Sequence, residues 1–453
     1  MGFEPSVESL REHTVPQWFH DAKFGIFIHW TMASIPAFAP QAGSLIDVVR
    51  EHPADFLKYN PYAEWYWNAM KIPGSETALH HAEVYGDAPF EAFREPFEAS
   101  IEAWNPEPLL DLIVAAGARY VVLVTKHHDG FALWPTGIEN PHMPGWHTRR
   151  DVVGELARGI RERGLRFGVY YSGGLDWTFE PRPMLGVADL FASVPARDEY
   201  RQYADAHFRE LIERYEPDVL WNDIAYPAGP GLLELFADFY NRNPEGVVND
   251  RWAQPGTETF PLALHHDFRT PEYTQYNDVR SQKWEATRGI GHSFGYVANE
   301  DPANIITPRE LIQSFVDAVA KNGNLLLNIG PKGNGDVDPL HEVPLRALGA
   351  WLNSNGEAVY GTRPWERAST GATDASGTAR QVRFTRGTGS VFATVFDTPV
   401  AGSLRFPKAE MPPFTRVTLI GHGALSHREA AGEVVVDFPA VAEAPAHCLK
   451  LEI

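Results

Sequence analysis

The sequence YVVLVTKHHDGF at residues 120–131 is the strongest indication of the fold, because an unbroken apolar run stops there at charged and polar residues. Short runs rich in Val, Ile, Phe and Tyr are typical of parallel strands that are buried on both faces. Runs of the same kind are FGIFIHW at 24–30, RFGVYYSGG at 166–174, DVLWNDIA at 218–225, VVNDRW at 247–252, HSFGYV at 292–297 and NLLLNIGP at 324–331. Amphipathic helical patterns lie between them, for example at 151–164 and 200–215. Strands that alternate with helices predict βα units around a parallel sheet.

Nearly every apolar run ends in polar or charged side chains. These residues are His29, His127, His128, Asp129, Ser172, Asp223, Asp250, Arg251 and Asn328. Barrels and open doubly wound sheets both carry their sites beyond the C-terminal ends of the strands. An open sheet would usually show a glycine-rich phosphate loop after its first strand, whereas HWTMASIPAF follows here. We therefore predict an α/β fold, with a (β/α)8-like catalytic barrel of the TIM type over residues 1–355.

The pattern changes after WLNSNGEAVYGTRPW, which ends at residue 365. Helical periodicity is replaced by short β-prone segments such as SVFATVFDT and EVVVDFP, and Gly, Pro and Asp separate them. Such spacing is typical of antiparallel strands in two packed layers. The sequence predicts a small C-terminal antiparallel β-sandwich over residues 366–453.

Composition excludes several classes of function. The formal net charge of −20 argues against a nucleic-acid partner, which requires a basic surface. The single cysteine, Cys448, excludes a disulfide within the monomer and any cysteine-based metal site. The sequence has no run of about 20 apolar residues for a membrane span, and its first residues lack the apolar core of a secretory signal. We expect a cytoplasmic protein with no membrane partner, and leave homo-oligomerisation open.

Two acids lie near the ends of different predicted strands. Asp223 ends a strand-like segment, and Glu272 lies in the aromatic, proline-containing HDFRTPEY. Glycoside hydrolysis uses two carboxyl groups, one that attacks the sugar or activates water and one that protonates the leaving oxygen. The sequence places both acids near strand ends but does not by itself pair them.

The histidines at the strand ends have two interpretations. His29, His127 and His128, with Asp129 or Asp223, would imitate the metal site of a barrel hydrolase. However, no HxH follows the first strand, and adjacent residues of an ideal strand point to opposite sides. We therefore expect these histidines to bind sugar hydroxyls, and expect neither a metal nor a cofactor.

Six motifs closely resemble those of the α-L-fucosidases of glycoside hydrolase family 29, in the same order along the chain. They are WFHDAKFGIFIHW, YVVLVTKHHDGFALWPT, PDVLWNDIAYP, KWEATRGIGHSFGY, NGNLLLNIGPKGNGDVDP and WLNSNGEAVYGTRPW. The resemblance implies a catalytic barrel followed by a β-sandwich. It also implies a retaining, exo-acting enzyme that removes terminal α-L-fucose from a fucosylated oligosaccharide or glycoside, through a covalent glycosyl-aspartate.

The resemblance further implies roles for individual residues. Asp223, in the W-x-D motif, would be the nucleophile, and Glu272, in TPEY, would be the acid/base, with Glu64 and Glu285 as the alternatives. The residues expected to bind the sugar are His29, Glu64, Trp65, His127, His128, Tyr171 and Arg251, and those expected to form an apolar wall for the C5 methyl group are Phe27, Trp221 and Phe294.

Three alternatives stay open from the sequence. The first is a retaining glycosidase or transglycosidase for a related L-sugar such as α-L-galactose, and the second is a metal-dependent hydrolase. The third, a non-catalytic lectin, is disfavoured because both Asp223 and Glu272 are present. The chain reads HWTMAS where many family members read HWGxYS, and its 39–59 loop also departs from the family pattern. We expect these departures to affect the leaving group more than the chemistry. We also predict a lid at 177–198.

Overall fold

The computed structural model describes residues 2–453, which form a parallel sheet wrapped by helices and then an antiparallel sheet. The parallel strands are β1 (Phe24–Ile28), β2 (Tyr120–Lys126), β3 (Arg166–Tyr171), β4 (Val219–Asn222), β5 (Val247–Val248), β6 (Trp284–Gly289) and β7 (Gly323–Ile329). They pair in the order β5-β4-β3-β2-β1-β7-β6. Their C-terminal ends therefore all meet at one end of the sheet.

The segment 267–273 closes this sheet into a barrel. On one side the N–H of Asp267 donates to the oxygen of Val248, at the end of β5, across 2.9 Å. On the other side the N–H of Glu285, in β6, donates to the oxygen of Arg269 across 2.8 Å. The segment thus takes the place of an eighth strand and covers both sheet edges, which would otherwise be unpaired. The predicted barrel is confirmed over the open sheet.

Helices cover the outside of the barrel. Their bounds are α1 Val7–Leu10, α2 Gln17–Ala22, α3 Leu45–Glu51, α4 Tyr66–Ala69, α5 Glu76–Tyr85, α6 Arg94–Ala103, α7 Glu107–Ala115, α8 Val152–Glu162, α9 Val187–Ala192, α10 Asp198–Tyr215, α11 Leu232–Arg242, α12 Pro308–Ala320 and α13 Pro339–Asn355. In α8, Val153, Leu156 and Ile160 recur at helical spacing and are all buried. Within residues 2–453, no helix is long and apolar enough to cross a membrane.

The sixth strand lies earlier in the chain than predicted. Residues 292–297 form a loop, and the strand is β6. The sequence pattern did not predict β6, because this strand contains the charged residues Glu285 and Arg288, which interrupt the apolar run. Glu285 is fully buried and accepts a hydrogen bond from Nε1 of Trp221 at 3.1 Å, so a charge-bearing side chain points into the barrel. The 292–297 loop instead carries Phe294 to the mouth of the barrel.

The C-terminal part is a single nine-stranded antiparallel sheet that folds over onto itself, as predicted for a sandwich. Its strands are β8 (Arg363–Thr373), β9 (Ala379–Gly387), β10 (Ser390–Phe396), β11 (Gly402–Pro407), β12 (Arg416–Leu419), β13 (Gly423–Leu425), β14 (His427–Ala430), β15 (Glu433–Phe438) and β16 (Ala446–Glu452). They pair in the order β13-β12-β16-β10-β9-β8-β11-β15-β14. Val382, Leu404, Val417 and Val436, from four different strands, pack in one buried cluster.

The antiparallel sheet packs directly on the barrel. Nε1 of Trp351, in α13, donates to the oxygen of Ala446 across 2.9 Å. Nε2 of Gln313, in α12, donates to Oδ1 of Asp397 across 2.7 Å. Phe396 belongs to the same apolar cluster as the barrel core. The sheet therefore contributes to the packing of the outer helices α12 and α13.

Candidate active site

A cavity of about 230 Å³ opens at the end of the barrel where the parallel strands finish. Sites for drug-sized ligands run to about 300–1,000 Å³, so this cavity suits a smaller ligand of the size of one sugar ring. The structure brings every predicted site residue except Tyr171 to its lining: Phe27, His29, Glu64, Trp65, His127, His128, Trp221, Asp223, Arg251, Glu272 and Phe294.

Asp223 follows β4 directly and is held by three donors. Its Oδ2 accepts from the hydroxyl of Tyr170 at 2.7 Å, and its Oδ1 accepts from Nη1 of Arg251 at 2.7 Å. The N–H of Ile224 also donates to Oδ1, at 2.8 Å, and Ile224 has a φ of 64° that β-branched residues rarely adopt. Burial would raise the pKa of Asp223, but the charge of Arg251 and the hydrogen bonds outweigh it, so the pKa lies below its usual value. Asp223 is therefore a carboxylate at neutral pH.

Arg251 joins the two predicted catalytic acids. Its Nη1 contacts Asp223, and its Nη2 lies 2.5 Å from Oε1 of Glu272. Thr270 fixes the guanidinium, since its hydroxyl accepts from Nε at 3.0 Å and its carbonyl oxygen accepts from Nη2 at 3.1 Å. The two carboxyl groups are therefore bridged by one guanidinium group, which contacts both of them. An ionised carboxylate beside a second carboxyl group is the arrangement that glycoside hydrolysis uses.

Hydrogen bonds determine which ring nitrogen carries the proton in His29 and in His128. Nδ1 of His29 lies 2.6 Å from Oδ1 of Asn328, whose Nδ2 donates to the oxygen of Phe294. Nδ1 of His128 lies 2.6 Å from the hydroxyl of Ser172, which itself donates to a backbone oxygen. Both Nδ1 atoms must therefore be donors, which leaves Nε2 of each ring as an acceptor. Burial lowers the pKa of His29 to about 4 and the pKa of His128 well below its usual value, so both rings are neutral.

Two buried polar atoms at the cavity lack a partner among the residues that the structure describes. They are Nδ1 of His127 and the hydroxyl of Tyr62, and both residues line the cavity. Because β2 ends at Lys126, the backbone is no longer extended at His127 and His128, and both rings reach the cavity. An unpaired polar group that is buried costs free energy, about 1–3 kcal/mol, so these atoms are suited to bind hydroxyl groups of a ligand.

Glu64 and Trp65 enter the cavity from a short 3-10 helix, Ala63–Trp65. Oε2 of Glu64 accepts from the N–H of Gly295 at 2.7 Å and from the hydroxyl of Ser293 at 3.3 Å. Burial raises the pKa of Glu64 to about 7, against these hydrogen bonds. Glu64 therefore ties this segment to the loop that carries Phe294, and changes charge near neutral pH.

Aromatic rings form one wall of the cavity. Phe27 lies 5.2 Å from the ring of Trp221 and 6.5 Å from the ring of Phe294, measured between centroids. The guanidinium of Arg251 lies over the ring of Trp221, at 4.6 Å. The cavity lining thus combines aromatic rings with histidines and carboxylates, and His29 lies 4.5 Å from the ring of Phe27 and 5.1 Å from the ring of Phe294. A pocket for a sugar with one apolar corner requires both kinds of surface.

The prediction for Tyr171 does not agree with the geometry. Its hydroxyl contacts Nδ1 of His207 at 3.0 Å, outside the barrel, while the ring of Tyr170 lines the cavity. Successive side chains of a strand point to opposite faces, so a shift of one residue moves the assignment from one face to the other. Tyr62 and Tyr170 are the cavity residues that the sequence interpretation missed.

Of the alternatives for the acid/base, Glu285 lies outside the cavity. It is fully buried inside the barrel, with Nε1 of Trp221 and the hydroxyl of Tyr120 donating to it. Burial raises the pKa of Glu285 to about 7.

The structure does not form the alternative metal site. Asp129, a member of that site, accepts from the N–H of Phe131 and does not line the cavity. In the described part of the chain, no group of three or more His, Cys, Asp or Glu residues could hold a metal ion.

The sequence of residues 1–357 matches the family described as Alpha-L-fucosidase. The chain is 32 % identical over 435 residues to the tissue α-L-fucosidase of Bos taurus, with 92 % of this chain and 83 % of the relative covered. It is 33 % identical over 447 residues to the plasma α-L-fucosidase of Homo sapiens, with 93 % and 85 % covered. A solved structure of a Thermotoga maritima α-L-fucosynthase, an Asp-to-Gly variant, superposes with a TM-score of 0.88, with 40 % identity and 99 % of each chain covered.

The comparisons correct the expected location. The cytoplasmic prediction is wrong, because the curated relatives are tissue and plasma α-L-fucosidases, and a plasma enzyme acts outside cells. That prediction rested on the lack of an apolar stretch among the first residues, which does not decide where a protein acts. The match over residues 1–357 and the relatives at 32–33 % identity agree with the site geometry: the chain belongs to the α-L-fucosidases, glycoside hydrolase family 29.

Proposed function

We propose that the chain is a retaining, exo-acting α-L-fucosidase, in which Asp223 forms a covalent glycosyl-enzyme and Glu272 is the acid/base. The shared contact of both carboxyl groups with Arg251 carries this proposal. Retaining enzymes need carboxyl groups about 5–5.5 Å apart, whereas inverting enzymes need room for a water molecule between them. A single guanidinium between the two acids favours the shorter separation.

The positions of the two acids in the cavity suit different roles. The side chain of Asp223 is 12 % exposed and that of Glu272 is 29 % exposed, so Asp223 lies deeper. A nucleophile must reach the anomeric carbon of a bound sugar, and an acid must reach the oxygen that leaves toward solvent. Oδ1 of Asp223 already accepts two hydrogen bonds, which leaves Oδ2 as the oxygen with the freer lone pair.

In the first step, Oδ2 of Asp223 attacks the anomeric carbon, the glycosidic bond breaks, and Glu272 gives its proton to the leaving oxygen. Glu272 is then a carboxylate in contact with Arg251. In the second step, that carboxylate takes a proton from water, which attacks the anomeric carbon, breaks its bond to Oδ2 of Asp223 and releases α-L-fucose. Two inversions give net retention.

The walls of the cavity support fucose as the sugar. The imidazole acceptors of His29 and His128 and the unpaired hydroxyl of Tyr62 match ring hydroxyls. The aromatic wall of Phe27, Trp221 and Phe294 favours the C5 methyl, by about 0.8 kcal/mol per buried carbon. A CH2OH group, as in L-galactose, would place a hydroxyl against these rings at a cost of about 1–3 kcal/mol.

Two observations from the Thermotoga maritima fucosynthase support retention. That enzyme is an Asp-to-Gly variant, and it was solved with α-L-Fuc-(1-2)-β-L-Fuc-N3. Loss of a nucleophile converts a retaining glycosidase into a synthase, because the product can no longer be hydrolysed through the covalent intermediate. At 40 % identity over almost the whole chain, the same mechanism is proposed here.

The stereochemistry of the first-formed product tests this proposal. Wild-type enzyme should hydrolyse 4-nitrophenyl α-L-fucoside, and proton NMR during the first turnovers should detect α-L-fucose before mutarotation forms the β anomer. The matched 4-nitrophenyl α-L-galactoside should react at least about tenfold more slowly in kcat/KM, from the buried hydroxyl. Initial release of β-L-fucose would mean an inverting enzyme and would overturn the assignment of Asp223 as a nucleophile.

A further inference from the structure

The mouth of the cavity differs from its floor. Four half-buried apolar residues line the mouth, Leu45, Val49, Leu190 and Ile224, which we call the apolar rim. The floor residues, such as His29 and Trp221, are almost fully buried. The rim therefore lies between the sugar-sized floor and solvent, where the leaving group of a bound glycoside must lie. Ile224 follows the proposed nucleophile directly, which places the rim next to the scissile bond.

Specific hydrogen bonds hold the segments that carry the rim. The N–H of Leu57 donates to the oxygen of Leu185 across 3.0 Å, which joins the segment after α3 to the segment before α9. Asn68 then fixes the second segment with two bonds to the backbone of Met184, at 2.8 and 3.1 Å. The predicted lid at 177–198 is thus attached to the 44–59 segment and to α4, so the rim is a formed surface.

Several polar side chains of the rim segments are already hydrogen-bonded within those segments. The hydroxyl of Ser44 donates to Oδ2 of Asp47 at 2.5 Å, and Asp189 accepts from the N–H groups of Leu185 and Gly186. From residues 44–60, Asn60 is the polar residue that reaches the cavity, and its Oδ1 accepts from the N–H of Tyr62 at 3.0 Å. The hydroxyls of a sugar leaving group would meet few free partners here, whereas carbon atoms would meet four apolar side chains.

We propose that the apolar rim is the leaving-group site and that it selects alcohols with an apolar carbon skeleton over polyhydroxylated leaving groups. The inference rests on the proposed hydrolysis at Asp223. Burial of each leaving-group methylene against the rim is favourable, and a buried hydroxyl without a partner is not. The departures from the family pattern in the 39–59 loop therefore act on the leaving group.

A series of alkyl α-L-fucosides tests the inference on the wild-type enzyme. Methyl, propyl and hexyl fucosides have leaving oxygens of similar basicity, so the chemical step should be equally difficult for all three. Because kcat/KM includes the cleavage step, differences in kcat/KM then report binding of the carbon chain. The value should rise about two- to fourfold per added methylene, the upper figure being that of full burial. A flat series, or a fucosyl disaccharide that exceeds hexyl fucoside in kcat/KM, would overturn the inference.

Paired variants locate the effect. In Val49→Thr and Leu190→Asn, the ratio of kcat/KM for hexyl over methyl fucoside should fall at least about threefold. Val84→Thr and Leu79→Asn, at exposed positions of α5 that do not line the cavity, should leave that ratio unchanged. Equal ratios in all four variants would contradict the rim as the binding surface. If a rim variant does not fold, the wild-type series still decides.

Different results would disprove the proposed mechanism and the assignment of the apolar rim. If the proposed mechanism is wrong, the anomer formed from methyl fucoside is β, or no α-L-fucoside is hydrolysed. If only the rim assignment is wrong, every alkyl fucoside gives α-L-fucose with the same kcat/KM.

Discussion

The hydroxyl of Tyr170 donates a hydrogen bond to Oδ2 of Asp223 across 2.7 Å. The same oxygen is the one assigned to attack the sugar, so Tyr170 both orients the carboxylate and stabilises its charge. The neighbouring Tyr171 directs its hydroxyl to His207 on the outer face of β3. The two tyrosines therefore form a natural pair of test and control.

In Tyr170→Phe, kcat/KM on 4-nitrophenyl α-L-fucoside should fall about 10- to 150-fold, since a hydrogen bond to a charged group is worth about 1.5–3 kcal/mol. Tyr171→Phe should keep kcat/KM within about twofold and lose about 1 kcal/mol of unfolding free energy, because its hydrogen bond is structural. Steady-state kinetics and urea denaturation of both variants measure this. A larger kinetic loss in Tyr171→Phe would contradict the geometry.

Arg251→Lys should lower kcat/KM by about two orders of magnitude, because one ammonium cannot bridge Asp223 and Glu272 as the guanidinium does. The pH profile gives a second readout. The charge of Arg251 holds the pKa of Asp223 below its usual value, so Arg251→Gln, which removes that charge, should raise this pKa and move the acidic limb of kcat/KM to higher pH. Arg346→Gln, at an exposed pair with Glu342, is the control and should leave the profile in place. An unshifted acidic limb in Arg251→Gln would exclude this electrostatic role.

In Glu285→Gln, the melting temperature should depend less on pH than it does in the wild type. Burial raises the pKa of Glu285 from 4.5 to about 7, so the folded protein keeps a proton that the unfolded chain releases. The stability linked to that proton is fully present below pH about 4.5 and is lost as the pH rises through about 7. The melting temperature of the wild type should therefore fall relative to the variant across this window. Glu234→Gln, on an exposed turn of α11, should follow the wild type, and parallel curves for all three proteins would refute the assignment.

Trp351→Ala should cost about 3–5 kcal/mol of unfolding free energy, because its ring is buried between α13 and the antiparallel sheet. Barrel and sheet should unfold in one urea transition, observed equally by tryptophan fluorescence and by loss of activity. Two separate transitions, or a soluble active protein after removal of residues 363–453, would show that the sheet does not support the barrel.

Much of the architecture follows from the sequence because hydrophobic burial determines it. Six of the seven parallel strands were predicted as continuous apolar runs, since strands covered on both faces need apolar side chains at every position. The strand β6 was missed because Glu285 lies in the barrel interior, where it is hydrogen-bonded. The sequence pattern does not distinguish such a buried charged residue from an exposed one. The eighth position was also missed, because the segment 267–273 pairs irregularly and contains a proline.

The candidate site was predicted less completely. Residues that directly follow strands, such as His29 and Asp223, could be identified because strand ends meet at one face of the barrel. The register of Tyr170 and Tyr171 could not be read from an all-apolar strand, in which both faces look alike. Tyr62 comes from a loop whose path depends on contacts far apart in the chain, such as the bond from Gly295 to Glu64.

The most direct test of the central claim is azide rescue of Asp223→Ala. On 4-nitrophenyl α-L-fucoside, the variant should keep roughly a thousandth of the wild-type kcat or less. Added azide should restore nitrophenol release and yield β-L-fucosyl azide, because it attacks from the face that the carboxylate would have used. Glu272→Ala, the partner variant, should lose about 10²–10⁴-fold in activity and give α-L-fucosyl azide, with Asp223 still forming the intermediate. Formation of α-L-fucosyl azide by Asp223→Ala, or activity within tenfold of wild type without azide, would contradict Asp223 as the nucleophile.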